Sequence, residues 1–143
     1  MPDELEFEGR LGVAVGADLQ EARAGLEAAV AAADDHRGPP IEIVWQGGQF
    51  APAETPLDSP FVGLVHDAAR EQCDPAAALC GVPYGADMRL FCERGIPCVM
   101  LGPPGLERAH AADEWVSVDD LTRVARAIAV TILRFESPGA ARA

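Results

Sequence analysis

The sequence predicts an α/β protein, and three observations carry the prediction. The first is a stretch of strict apolar–polar alternation near the N-terminus, followed at once by a helical repeat. The second is a short apolar run without alternation, Cys98 to Leu101, which is how a strand buried on both faces reads. The third is the set of Gly/Pro-rich turns from Pro83 to Val116, which holds Asp87, Arg89, His110, Asp113 and Glu114 around that run. An α/β sheet presents polar groups at its carboxyl edge in this way, so chemistry is expected there.

Taken in order, Leu5, Phe7, Leu11, Val13 and Val15 stand on one side of the first segment and Glu4, Glu6, Glu8 and Arg10 on the other. Period two with one wet face argues a strand in a sheet covered on one side; Gly9 and Gly12 weaken it or mark a bend. Asp18 is placed to cap a helix, Glu21 stands at the capping-box position, and Leu19, Ala22, Leu26, Ala29, Val30 and Ala33 follow at helical spacing. That helix is expected to end between Asp34 and Gly38, because Pro39 and Pro40 forbid its continuation. His36, beside Asp34, Asp35 and Arg37, then complements the helix dipole. Ile41 to Trp45 reads as a second strand, which makes the opening third a β-α-β unit.

The next stretch, QGGQFAPAETPLDSP, has no periodicity and reads as a connector. Connectors this long are uncommon inside a compact domain, so a boundary is expected here, dividing the chain into 1–48, a linker at 49–57, a second part at 58–137 and a frayed tail at 138–143. Asp58 or Ser59 caps a helix with Pro60 in its first turn, and Phe61, Leu64, Val65, Ala68 and Ala69 form its apolar face. A short candidate strand, AAALCGV, is followed by a turn at Tyr84–Gly85 and a short helix from Asp87 to Arg94. Gly95–Ile96–Pro97 leads into the buried strand. Asp119 or Asp120 starts the last helix, with Leu121, Val124, Ala125, Ile128, Ala129 and Ile132 as its inner stripe.

Composition narrows the function classes. Twenty-three acidic side chains against eleven basic ones leave a net charge of −12, and none of the basic residues is lysine. Such a surface repels nucleic acid and anionic membranes, because binding phosphate needs clustered cations. No run of about 18 apolar residues is present to span a bilayer, and the N-terminus is acidic where a signal peptide is basic. A cytoplasmic protein is expected. Cys73, Cys80, Cys92 and Cys98 include no C-x-x-C pair, so buried free thiols are expected rather than a zinc knuckle or a disulfide.

Among candidate site residues, His110 follows a Gly/Pro loop after the buried strand and precedes Asp113 and Glu114, which could orient the loop or hydrogen-bond the imidazole. A neutral imidazole so placed suits a metal; the alternative is an ordinary surface histidine. Asp87 and Arg89 follow Gly85. Either the first turn there forms an anion pocket in which Arg89 grips a carboxylate, or Asp87 is a plain N-cap and Arg89 a solvated charge. His66 reads as a surface residue on its helix.

The segment GVPYGADMRLFCERGIPCVMLGPPGLERAHAADEWVSVDDL resembles the C-terminal end of the zinc aminoacylase and peptidase family that includes acetylornithine deacetylase, succinyl-diaminopimelate desuccinylase and carboxypeptidase G. That family's pattern runs roughly G-[ST]-D-x-R, G-I-P, G-P-G, then A-H-x-x-[DN]-E and an aromatic or apolar residue, and this chain matches nearly every element in order and spacing. The earlier segments resemble the second half of the family's small lid, or dimerisation, domain and the crossing back to the catalytic domain. The WQGGQFAP and YGADMRL wording is most similar to the acetylornithine deacetylase-like members. The resemblance extends from about Leu5 to Phe135.

The resemblance implies a fold: the C-terminal part of a mainly parallel-sheet catalytic domain, preceded by a β-α-β piece of the lid. It implies that His110 is a metal ligand, that Arg89, with Asp87 and Gly85, binds the substrate's carboxylate, and that Glu114 and Asp113 hold the loop behind the ligand. Ala86 stands where the family has Ser or Thr, so one hydroxyl is missing. The implied cofactor is a two-metal site, zinc or else cobalt or manganese, completed by residues outside this chain: the H-x-D motif, the bridging Asp, and the E-E pair with the general base. The implied reaction is hydrolysis of N-acyl amino acids, with the N-terminal half of the enzyme as a required partner and a homodimer formed through the lid. The alternative is a non-catalytic dimerisation or amino-acid-binding module derived from the same fold.

Overall fold

The computed structural model describes residues 4–34, 37–48 and 50–135; the expectations for His36 and for the tail lie outside them. Helix α1 spans Leu19–Ala33, and it starts where a carboxylate can absorb its orphan donors: the Asp18 Oδ1 accepts from the N–H groups of Gln20 at 2.7 Å and Glu21 at 2.9 Å. Leu19, Ala22, Leu26 and Val30 are half-buried, and no residue of the helix is fully enclosed. Trp45 lies against this helix. Its indole N–H donates to Glu27 at 2.8 Å, and the Arg23 guanidinium sits 5.2 Å from its ring centroid. Residues 23 and 27 are one turn apart, so a single ring engages both.

Helix α2 spans Pro60–Gln72, with Pro60 in the position where a missing N–H is harmless. Helix α3, Met88–Cys92, is short. It ends in the left-handed glycine cap that Gly95 makes possible: Gly95 has φ +70°, its N–H donates to the Cys92 carbonyl at 2.9 Å, and the Ile96 N–H reaches back to the Phe91 carbonyl at 3.0 Å. A 3₁₀ turn covers Leu106–Arg108, and helix α4 covers Val118–Phe135. The cap of α4 differs from the expected Asp119 or Asp120. Ser117 takes the position, with its hydroxyl 3.4 Å from the Asp120 N–H, and the two aspartates fall inside the first turn, where they favour the positive end of the dipole.

Two compact units result, one from Met1–Ala53 with Pro83–Ala86, the other from Glu54–Val82 with Asp87–Ala143. In the second unit α2 packs on α4. Among its described residues, Val62, Val65, Ala68 and Ala69 of α2 and Ala127 and Thr131 of α4 are buried. Thr131 is admitted because its hydroxyl donates to the Ala127 carbonyl one turn earlier, at 2.8 Å. Phe61 and Phe135 meet edge to face at 6.2 Å, and Arg134 holds Glu71 through two hydrogen bonds of 2.9 and 2.7 Å. The expected inner stripe of α4 is displaced. Ala127 and Thr131 face α2, whereas Leu121, Ile128 and Ile132 are exposed. Small side chains win the interface because they let the helices approach closely, opposite Ala68 and Ala69.

Among the described residues no strand ladder is present. The segments 4–15, 41–45, 76–82 and 98–101 form neither helix nor paired strand. Near the last of them, Thr55 substitutes for a ladder partner: its hydroxyl donates to the Cys98 carbonyl at 2.6 Å and accepts from the Cys98 N–H at 2.9 Å. The thiols are free, as expected, but they are not core: Cys80 is exposed and the other three are half-buried. Burial nonetheless pushes the Cys73 and Cys98 thiols above their ordinary range, with the neighbouring Cys92 adding to the effect on Cys98.

Candidate functional site

The sequence-predicted residues fall on three turns. Gly85 belongs to the first unit, where the Phe50 ring lies against it so closely that any side chain at 85 would run into that ring. Glycine is therefore required there by a close approach rather than by backbone conformation. Asp87 stands at the start of α3 with its carboxylate exposed; its carbonyl accepts the Leu90 N–H at 2.9 Å, and its side chain makes no capping bond. The N-cap reading of Asp87 is thus a backbone role only. Arg89 is half-buried on the first turn of α3.

His110 sits on the loop that follows the Gly102–Pro103–Pro104–Gly105 turn. The turn is driven by Gly105 at φ +95°, whose carbonyl accepts the Arg108 N–H at 2.9 Å. The chain then closes twice more, Ala109 N–H to the Leu106 carbonyl and Ala111 N–H to the Arg108 carbonyl, both at 3.0 Å. Between these bonds His110 takes φ +64°, the left-handed region that a side chain occupies only at a cost of about 1–3 kcal/mol. Its imidazole is exposed, as are Asp113 and Glu114, and among the described residues none donates to it or accepts from it.

Two residues of this loop carry contacts that the sequence reading did not single out. The Arg108 guanidinium stacks 4.2 Å from the centroid of the Trp115 ring and pairs with Glu107 at 3.1 Å. His66, read as a surface residue, is half-buried, and a ring nitrogen donates to the Ala77 carbonyl at 2.9 Å, tying α2 to the segment beyond it. The signal for both was available in kind, an Arg and an aromatic flanking a histidine and a polar residue beside an apolar stripe, but neither pattern is specific. A cavity of about 380 Å³ lies between α2, α4 and the 77–79 and 99–102 segments, lined by Val65, Ala69, Leu79, Val99, Leu101 and Val124. Its lining is mostly apolar but includes His66, Asp74, Asp120 and Arg123, and Gly85, Asp87, Arg89, His110, Asp113 and Glu114 do not border it.

These turns present one arginine, Arg89, three carboxylates, Asp87, Asp113 and Glu114, and one histidine, His110. The sequence model of Peptidase family M20/M25/M40 matches residues 2–134, nearly the whole chain, and the chain belongs to that family. It is a family of metal-dependent hydrolases, which generally use divalent metals such as zinc. No curated protein and no solved structure matched the chain. Among the described residues no group of three or more His, Cys, Asp or Glu side chains is placed to hold a metal ion. A catalytic zinc needs three protein ligands and an open position, so the donors here do not by themselves fit such a group; His110 offers one imidazole. Among the described residues no helix is long and apolar enough to cross a membrane.

Proposed function

We propose that this chain is the C-terminal portion of a metal-dependent amidohydrolase that cleaves N-acyl groups from amino acids, of the acetylornithine deacetylase type. The observation that carries the reading is the ordered series Gly85, Asp87, Arg89, Gly95–Ile96–Pro97, His110 and Glu114 inside a family match over residues 2–134. In this reading 1–48 is the second half of the lid, 49–57 the connector and 58–137 the C-terminal part of the catalytic domain. The unpaired segments 4–15, 41–45 and 98–101 are strands of an α/β fold whose ladder neighbours come from the rest of that fold.

Arg89 presents a planar two-point fork to the substrate's carboxylate, with Asp87 and Gly85 beside the same turn. Holding that end of the substrate fixes the acyl carbonyl in place, which is how a positioning residue lowers a barrier. His110 is this chain's contact to the metal, zinc or else cobalt or manganese, and Glu114 and Asp113 hold its loop. The remaining ligands and the general base belong to the N-terminal half of the same enzyme. What supports inactivity of the isolated chain is its donor set, one imidazole without two further ligands grouped about it among the described residues. A cytoplasmic homodimer, joined through the lid segment, completes the reading.

The test is metal content and hydrolysis of N-acetylornithine and other N-acetyl amino acids, for the purified chain alone and mixed with the N-terminal half of a related enzyme. Activity only in the mixture, abolished by His110→Ala, is the expected result. Tight zinc binding with hydrolysis by the isolated chain would refute its inactivity. No activity in either preparation, with a well-folded dimer by scattering, would favour the non-catalytic module.

A further inference from the structure

We propose that Arg108 and Trp115 are positioning residues, a cation–π clasp that closes the loop carrying His110, Asp113 and Glu114; the functional part of this inference rests on the reading above. Left-handed backbone at a residue with a side chain persists only where its surroundings over-determine it. Around His110, Arg108 supplies that constraint at three points. Its N–H donates to Gly105 at 2.9 Å, its carbonyl accepts the Ala111 N–H at 3.0 Å, and its guanidinium lies 4.2 Å from the Trp115 ring centroid. The two hydrogen bonds shape the loop's entry. Only the stacking contact reaches across 109–114 to its exit.

The neighbouring glycine is part of the device. A Cβ at Gly105 would crowd the folded-back guanidinium, 3.0 Å from its Cζ and nearer still to a terminal nitrogen, and Gly105 itself takes φ +95°. Glycine at 105 therefore both turns the chain and leaves room for Arg108 to reach Trp115. The competing partner of Arg108 is Glu107, whose side chain is 72% exposed. A surface pair between adjacent residues spans no loop and contributes little. The ring contact is the one that decides whether His110 is held or free to sample other conformations.

Hydrogen exchange read by mass spectrometry on the 143-residue chain tests the clasp without metal or substrate. In Arg108→Gln and Trp115→Leu, exchange across 109–114 is expected to rise about two- to fivefold, the range an exposed cation–π pair supports, while α2 and α4 exchange as in the wild type. Trp115→Phe, which keeps an aromatic face, is expected to fall between. Unchanged exchange in both disruptive variants, or an equal rise throughout α2 and α4, overturns the clasp. In the mixture with the N-terminal half, R108Q is expected to lower kcat by a similar factor with KM unchanged; a rise in KM alone overturns the positioning role. A wild-type mixture that is inactive counts against the proposed function instead, and the exchange result still decides the clasp.

Discussion

Single polar atoms do much of the ordering in this chain, and Thr55 is the clearest case. Its hydroxyl satisfies both the N–H and the carbonyl of Cys98, at 2.9 and 2.6 Å, in a half-buried position where no ladder does so. Thr55→Val keeps the shape and removes both partners, and is expected to destabilise the second unit by about 1–3 kcal/mol, the cost of an unsatisfied buried group; Thr55→Ser should restore most of it. Chemical denaturation of the three proteins measures this. At the same scale, Asp18 was legible from sequence, because a cap is a local requirement met by neighbours a few residues away. The hydrogen bond from His66 to Ala77, the Thr55 clamp and the Arg108–Trp115 stack were not, since each depends on where a distant or looped-back segment lies.

At the scale of elements, all four α-helices fall close to where periodicity, caps and prolines place them, but the face α4 turns to α2 does not follow its most apolar stripe. Ala127 is fully buried whereas the adjacent Ile128 is 45% exposed. Ala127→Leu is therefore expected to cost about 1–3 kcal/mol by overpacking. Ile128→Ala in the isolated chain is expected to change stability by no more than about 0.5 kcal/mol. Equal losses at the two positions would show that α4 is turned the other way. The same helix pair carries a pH dependence. The Arg134 hydrogen bonds to Glu71 hold its carboxyl below the ordinary value of 4.5. A folded-state value below the unfolded one stabilises above pH 4.5 and is lost as pH falls through the lower folded value. Thermal melts between pH 3 and 6 should therefore lose stability on the acid side in the wild type, and lose less of it in Glu71→Gln; the pair is exposed, so the difference is small.

At the scale of the whole molecule, the second unit leaves Leu121, Ile128, Ile132 and Phe135 of one helix exposed, a concentration of apolar surface that a solvated face does not need. If the chain is the C-terminal portion of a larger hydrolase, mixing it with the N-terminal half of a related enzyme is expected to raise its melting temperature and to protect α4 from exchange; a mixture that melts as the sum of its parts would count against that assembly. Sequence alone determined the net charge of −12, the positions of the helices, and the ordered residues from Gly85 to Glu114 that carry the family resemblance, because each of these is a property of composition or of short-range spacing. Tertiary structure alone decided which face of α4 is buried, that Ser117 rather than an aspartate caps it, that Phe50 closes on Gly85, and that Arg108 folds back onto Trp115. Those outcomes depend on which surfaces approach closely enough to exclude water, and a linear pattern states how apolar a face is without stating what stands opposite it.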